Sequence, residues 1–302
     1  MERFIMQDLI AWKNREDRKP LILLGARQVG KTYILKEFGQ REFENVAYIN
    51  CDNNAMVKDL FATDYNIERI LLTIGAITGV NIQAGKTLII MDEIQELHRG
   101  LASLKYFCEE AREYHVAVAG SLLGLTLHQG ESYPVGKVNT LEMFPMTYEE
   151  FLLARGFKQR VDLLQSGMWD VVNSLRTLYI QHLREYYLVG GMPEAVKKFI
   201  DTNDANAVRE VQKEILHAYE KDISKHAPDE QVVRINHVWN SIPSQLAKEN
   251  KKFIYGVVKQ GARAKDYELA IQWLIDAGLI YKISRVKTIG MPLKIHEDIS
   301  AF

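Results

Sequence analysis

Cysteine is scarce: the 302-residue chain has two, Cys51 and Cys108. They form no metal-ligand spacing and no disulfide framework, which points to a reduced, cytoplasmic setting. The eight histidines are scattered, and none pairs with another at the spacing a metal site needs. No apolar run reaches the about 20 residues that span a bilayer. The opening "MERFIMQDLIAWKNRED" is charged throughout and has no small-residue cleavage site, so it reads as neither signal peptide nor anchor, and no membrane partner is expected. An excess of one charge is also missing, with 38 Lys+Arg against 39 Asp+Glu and a net charge of -1. The whole molecule is therefore not built to attract a polyanion. Repeats and low-complexity segments are absent too. What remains is an ordinary globular composition, 47% hydrophobic and 25% charged, of a length that fits about two or three domains.

The apolar pattern gives the organisation. Ile5, Leu9 and Trp12 recur at helical spacing, predicting a helix over residues 2–14. "LILLG" is a short apolar run ending in Gly, as a buried parallel strand reads. A helix follows from about Lys31 to Phe38, then a second strand at Asn45–Cys51. Residues 52–84 read as helical, with "IERILLTIGAI" as the main apolar segment. Thr87–Glu93 is a third strand, "GLASLKYFCEEAREY" a helix, His115–Ser121 a fourth strand and "KVNTLEMFPM" a fifth. Strands alternating with helices predict an α/β fold with a parallel sheet covered on both faces. From about Tyr148 the pattern is helical up to about Lys225, interrupted by "GGMPEAV", and "KHAPDE" reads as a linker.

The stretch "GARQVGKTYIL", Gly25–Leu35, fits G-x-x-x-x-G-K-[ST] between an apolar strand and a helix. That is the context in which backbone amides of a P-loop cradle nucleoside triphosphate phosphates, glycine allowing the close approach. Gly25, Ala26, Arg27, Gln28, Val29, Gly30, Lys31, Thr32 and Tyr33 are the expected ATP or ADP contacts. Lys31 reaches the β- and γ-phosphates, and the Thr32 hydroxyl holds Mg²⁺. Four apolar residues run into Asp92 and Glu93 at the end of the third strand, as in a Walker B element. One carboxylate, Asp92, holds Mg²⁺ and the next, Glu93, polarises the attacking water. With a complete strand between the loop and these carboxylates, the order resembles the P-loop ATPases with an added strand and a catalytic glutamate, and argues against small nucleotide kinases. Ser121 ends the fourth strand, either as a polar sensor of the γ-phosphate or as the cap of the next helix. Phosphoryl transfer also needs a cation on the developing charge, and the candidates are Arg27, Lys137 and Arg184. For Lys137, which follows Gly136 at a turn, a solvated surface lysine is the stronger reading.

Taken together, "GARQVGKTYIL", "LIIMDEIQ", "AVAGSLLG", "YPVGKVNTLEMFPMTYEEF", "YYLVGGMPEAV" and "GARAKDYELAIQWLIDAGL" resemble the bacterial and archaeal AAA-type ATPases with a GARQVGKT loop. The resemblance runs over essentially the whole chain. It implies an AAA-plus core at 1–150 with strand order 5-1-4-3-2, a helical lid at 151–228 and a winged helix at 229–302. It also places Gly190, Gly191 and Pro193 in the lid near the nucleotide, with Pro193 as a contact. Many relatives continue into a domain resembling a restriction-endonuclease fold, and "LKIHEDISAF" stands about where that domain would begin. Many also carry Arg where Lys137 stands.

In the last third, Ile235, Val238, Trp239 and Ile242 suggest one helix, and Pro243 fits the first turn of a second. "AKDYELAIQWLIDAG" is a third, with Tyr267, Ile271 and Leu274 inward and Gly278 as its stop. "LIYKISRV" and "MPLKI" flank "KTIG" as the two strands of a wing hairpin. From Val232 to Phe302 there are 11 Lys+Arg against 6 Asp+Glu, which leaves 27 against 33 in the remainder. That asymmetry favours DNA phosphates as a partner. Glu268, Gln272 and Asp276 on the third helix make a poor major-groove face, which favours a protein partner instead. Two readings of function result. One is an ATPase that couples hydrolysis to DNA; the other is a slow nucleotide-gated switch that uses its winged helix for protein contacts.

Overall fold

Five strands form one parallel sheet in the order β2-β3-β4-β1-β5. They are β1 (Leu21–Leu24), β2 (Asn45–Asn50), β3 (Thr87–Asp92), β4 (His115–Ala119) and β5 (Asn139–Glu142). This is the order expected above. The computed structural model describes residues 1–120, 134–249, 252–298 and 302. The chain divides into two compact units, 1–215 and 216–302.

The central strands are apolar on both faces because both faces are covered. Ile22, Ile89, Met91, Val116 and Val118 point to one side, onto α3 (Ile67–Thr78) and α4 (Gly100–Glu110). Leu21, Leu23, Leu88, Ile90 and Ala117 point to the other, onto α1 (Ile5–Lys13) and α2 (Lys31–Glu42). Helix α2 lies so close to the sheet that a Cβ at Gly39 would stand 2.6 Å from a Val46 methyl. Strand polarity then puts the residues following β1 and ending β3 at one edge, where open α/β sheets bind ligands.

Residues 52–66 correct the sequence reading: they form turns, and the helix is confined to Ile67–Thr78. The reason is local competition by short polar side chains. Asn50 Oδ1 accepts from Asp52 N, Asn54 Oδ1 from Met56 N and Asp64 Oδ1 from Asn66 N, at 3.0, 3.1 and 3.0 Å. Asn66 then caps α3 by accepting from Arg69 N at 2.9 Å.

After β5 the first unit is helical: α5 (Tyr148–Ala154), α6 (Lys158–Ser166), α7 (Trp169–Ser174), α8 (Arg176–Val189) and α9 (Pro193–Thr202). Thr147 and Glu150 close a capping box at the start of α5. Glu150 is buried and also accepts from Phe4 N at 2.7 Å. Arg3, equally buried, lies 3.1 Å from Glu150 Oε1 and donates to Val29 O at 3.0 Å and Phe144 O at 2.6 Å. A long helix, α10 (Ala205–His226), runs on to the second unit.

In the second unit, α11 spans Asp229–Leu246, α12 Tyr255–Val258 and α13 Ala264–Asp276. Tyr267, Ile271 and Leu274 are buried, and Gly278 has the left-handed φ of a helix stop. Three details depart from the sequence reading. Residues Asp229 and Glu230 of "KHAPDE" belong to the first turn of α11 and not to a linker. Pro243 lies inside α11 and starts no new helix. Ile235, Val238, Ser241 and Gln245 are buried on either side of it while Pro243 itself is exposed, so packing overrides the lost backbone donor. The hairpin is also much shorter than expected. Among the described residues, β6 (Arg285–Val286) and β7 (Glu297–Asp298) are the pairing strands, and "MPLKI" supplies a 3-10 turn, Leu293–His296, in place of a strand.

His115, at the start of β4, is buried edge-on against Trp12 and Phe43. Burial, with help from the Arg18 charge, pushes its imidazole down to about 4. The folded state therefore holds this ring neutral while the unfolded chain takes up a proton near pH 6.5. Stability contributed by His115 is full above about pH 6.5 and is lost as the pH falls toward 4. Urea unfolding at pH 7 and pH 5 should show a loss of about 2 kcal/mol for the wild type. His115→Phe should show a smaller loss over the same interval.

Candidate nucleotide-binding site

The turn after β1 is built by backbone that only certain residues tolerate. Gly25 has φ +143°, and a Cβ on it would lie 2.2 Å from Met143 O. Gln28 and Gly30 also have positive φ, and Gly30 is the N-cap of α2. These bends bring the loop to the start of a 12-residue helix, whose amides and dipole favour an anion.

Lys31 opens α2 and folds back over the loop. Its ammonium donates to Gly25 O at 2.7 Å and Ala26 O at 2.8 Å. Burial pushes this ammonium down to about 8, against the pull of Glu93 and Asp92 and with the Arg27 charge adding to the fall. A desolvated cation held by carbonyls alone gains from an anionic ligand.

Thr32 reaches the neighbouring carboxylate: its hydroxyl donates to Asp92 Oδ2 at 2.5 Å. Tyr48, on β2, donates to the same oxygen at 3.3 Å. Asp92 Oδ1 is buried and has no hydrogen-bond partner. Burial and the Asp92 charge raise the Tyr48 phenol to about 12, and burial with both carboxylates raises the Cys51 thiol to about 12. An orphaned buried carboxylate oxygen beside a hydroxyl, in a field that resists further negative charge, is a donor set suited to a hard divalent cation. Among the described residues, no cluster of three or more His, Cys, Asp or Glu forms an all-protein metal cage.

The structure brings Gly25–Tyr33, Asp92 and Glu93 to one edge of the sheet. Pro193 joins them, its ring carbon 3.9 Å from where a Gly30 Cβ would stand. It starts α9 after a turn in which Gly191 is pressed against the backbone of Met146, 2.3 Å from the position of its Cβ. Between the loop and α9 lies a largely apolar cavity of about 550 Å³, bordered by Arg3, Val29, Tyr33, Met143 and Pro193. Lys137 is elsewhere, paired with Glu109 at 2.8 Å, and Arg184 is exposed on α8. Ser121 lies outside the described residues. Sequence reasoning missed Tyr48, Arg3, Met143 and Gln95, whose amide donates to Glu93 Oε2 at 2.6 Å. Only Tyr48 left a signal: β2 pairs with β3 in parallel register, which puts Tyr48 beside the carboxylate strand.

The loop, the carboxylates and the sheet order together define a P-loop nucleotide-binding protein. Residues 17–152 match the family model of an AAA domain, and residues 180–301 match a domain of unknown function, DUF8612. Residues 17–152 are thus similar to the AAA-type ATPase domains. No curated protein matches the sequence. Among solved structures, a Walker-type ATPase of Pyrococcus abyssi is 15% identical with a TM-score of 0.58, covering 91% of this chain and 89% of its own. The ORC2 protein of Aeropyrum pernix, in ADPNP-ADP complexes, is 15% identical with a TM-score of 0.51, covering 93% and 87%. At this identity the likeness is one of fold. No helix among the described residues is long and apolar enough to cross a membrane.

Gly25→Ala tests the loop. The added methyl meets Met143 O within contact distance in a backbone region closed to alanine. Affinity for a fluorescent ATP analogue should fall by at least about tenfold, since each 1.4 kcal/mol of loop distortion costs a factor of ten.

Proposed function

We propose that this chain binds ATP across the Gly25–Tyr33 loop and hydrolyses it with Mg²⁺. The observation that carries this reading is the Thr32 hydroxyl bonded to Asp92 beside the buried Lys31 ammonium. Lys31 exchanges its loop carbonyls for the β- and γ-phosphate oxygens, and the loop amides take the remaining phosphate charge. Thr32 and Asp92 hold Mg²⁺, which supplies charge neutralisation to the leaving and transferred oxygens when bound. Glu93 orients a water and draws on its proton as the water attacks the γ-phosphorus. The cavity beside Pro193 takes the base, stacked between Tyr33 and the apolar wall of Met143 and Pro193. The segment 151–228 acts as a lid that senses the nucleotide through Pro193.

The second unit supports a winged helix in its element order: three helices, α11 to α13, followed by a short antiparallel hairpin. Lys252, Lys259, Arg263, Lys265 and Lys282 are exposed. Glu268 and Gln272 are exposed on α13. This combination favours DNA phosphates over base edges. Binding to duplex DNA should therefore be insensitive to sequence and weaken steeply between 50 and 200 mM salt. Each lysine or arginine replaced by alanine should lower the salt slope by about one. A slope that does not move with these residues would assign the unit to protein contacts.

The engagement of Lys137 with Glu109 favours a second reading, a slow switch, because it takes one candidate cation away from the developing charge. Steady-state turnover separates the two. Lys31→Ala should abolish ATP binding. Glu93→Gln should keep ATP binding and lower kcat by about 100-fold or more, the scale of a lost general base. Turnover raised by duplex DNA and lost in Glu93→Gln supports the DNA-coupled ATPase. Turnover slower than about one per minute and indifferent to DNA supports the switch. Equal turnover in Glu93→Gln and wild type would remove Glu93 from its role.

A further inference from the structure

At Asp92 the strand ends and the chain turns on Glu93, which holds the left-handed conformation with φ 54° and ψ 46°. Ile94–Glu96 form a 3-10 turn, closed by Glu96 N donating to Glu93 O at 3.0 Å and Leu97 N to Ile94 O at 3.1 Å. The turn is braced from inside. Ile94 and Leu97 are buried, and Gly100 packs so closely that a Cβ there would lie 2.8 Å from Ile94 O. This shape folds the Gln95 side chain back onto the residue two before it. Gln95 Nε2 donates to Glu93 Oε2 at 2.6 Å, a short bond of the charge-assisted kind. Its Oε1 is buried without a hydrogen bond, so among the described residues this amide is committed to Glu93. The Glu93 charge in turn acts on the Lys31 ammonium, opposing the effect of its burial.

We propose that Gln95 is a positioning residue for hydrolysis, its amide N–H holding the Glu93 carboxylate in the orientation from which it activates water. The inference rests on the reading of Glu93 as the base. A glutamate has three side-chain torsions, and a carboxylate free to rotate spends most of its time misaligned. A fixed donor at one oxygen selects one arrangement before substrate arrives, which is preorganisation in its simplest form. Glutamine at 95 spans this distance. Glutamate has the same shape but brings a like charge and no N–H, so Gln95→Glu reports on the donor and not on packing.

The test uses the full chain and four variants: Gln95→Ala, Gln95→Glu, Glu93→Gln and Glu93→Gln/Gln95→Ala. Thermal unfolding confirms that each is folded. Both Gln95 variants should lower kcat by about tenfold or more, the size of one lost hydrogen bond to a charged group. The KM for ATP should stay within about twofold, because Gln95 bonds to Glu93 and not to the Gly25–Thr32 loop. Single-turnover rates should show no further loss from Gln95→Ala once Glu93 is already Gln, the signature of two residues acting as one. If kcat in both Gln95 variants is within twofold of wild type while Glu93→Gln is inactive, the inference falls and the base assignment stands. A KM that rises in step with the loss, or losses that add in the double variant, also overturns it. If Glu93→Gln turns over like wild type, the base assignment falls and takes this inference with it.

Discussion

The Arg3 guanidinium is where the first unit is tied together. It is buried, and it meets Val29 O in the phosphate-loop turn, Phe144 O after β5 and the Glu150 carboxylate in α5. Glu150 in turn accepts from Phe4 N and Thr147 N. A buried pair of this kind is not cheap to form. Its desolvation is offset by two backbone carbonyls at the Arg3 Nη atoms and two backbone N–H groups at Glu150, while Arg3 Nε is left without a hydrogen bond, and removing one partner of a buried pair costs about 3–5 kcal/mol. The loop geometry follows from this arrangement. Val29 is held from outside by Arg3 while Gly25 is wedged against Met143 O, whose own N–H donates to Leu24 O at 2.8 Å. The Gly25–Gly30 turn is thus held at both ends by the protein itself.

Electrostatics divides the site into two zones. One is a desolvated ammonium, Lys31, depressed to about 8 and held by neutral carbonyls. The other is a carboxylate zone, Asp92 with Glu93, strong enough to help lift a nearby phenol and thiol to about 12. A ligand bearing both a polyanion and a divalent cation suits both at once, as a metal-nucleotide complex does.

How much of this could be read from the letters differs by residue. The sheet was legible because β3 and β4 must be apolar on both faces, so Leu88–Met91 and Val116–Ala119 carry no polar interruption. The loop was legible because glycine at 25 and 30 is demanded by positive φ. Arg3 and Glu150 were not legible: they are 147 positions apart, and nothing in either neighbourhood marks an arginine that will be buried. Gln95 was hidden because its role depends on the left-handed turn at Glu93, and glutamate gives no notice of that conformation. Residues 52–66 were misread because buried Val57, Leu60 and Phe61 mimic a helical stripe, while the Asn and Asp between them bond their own backbone. In the second unit, Pro243 misled because its exposed ring sits harmlessly on the outer side of α11. The wing was overestimated because apolar letters such as Ile283, Ile289 and Met291 suggest strands, yet these side chains are exposed and unpaired in sheet.

The left-handed backbone at Glu93 has a consequence for how this chain can change. A non-glycine residue there carries strain of about 1 kcal/mol or more, which glycine or asparagine would relieve. Selection for heat resistance alone would therefore favour those replacements, and each removes the carboxylate. With the role proposed for Glu93, position 93 is a place where robustness and chemistry pull in opposite directions, and a thermostabilised descendant of this chain would bind its ligand firmly and do nothing with it.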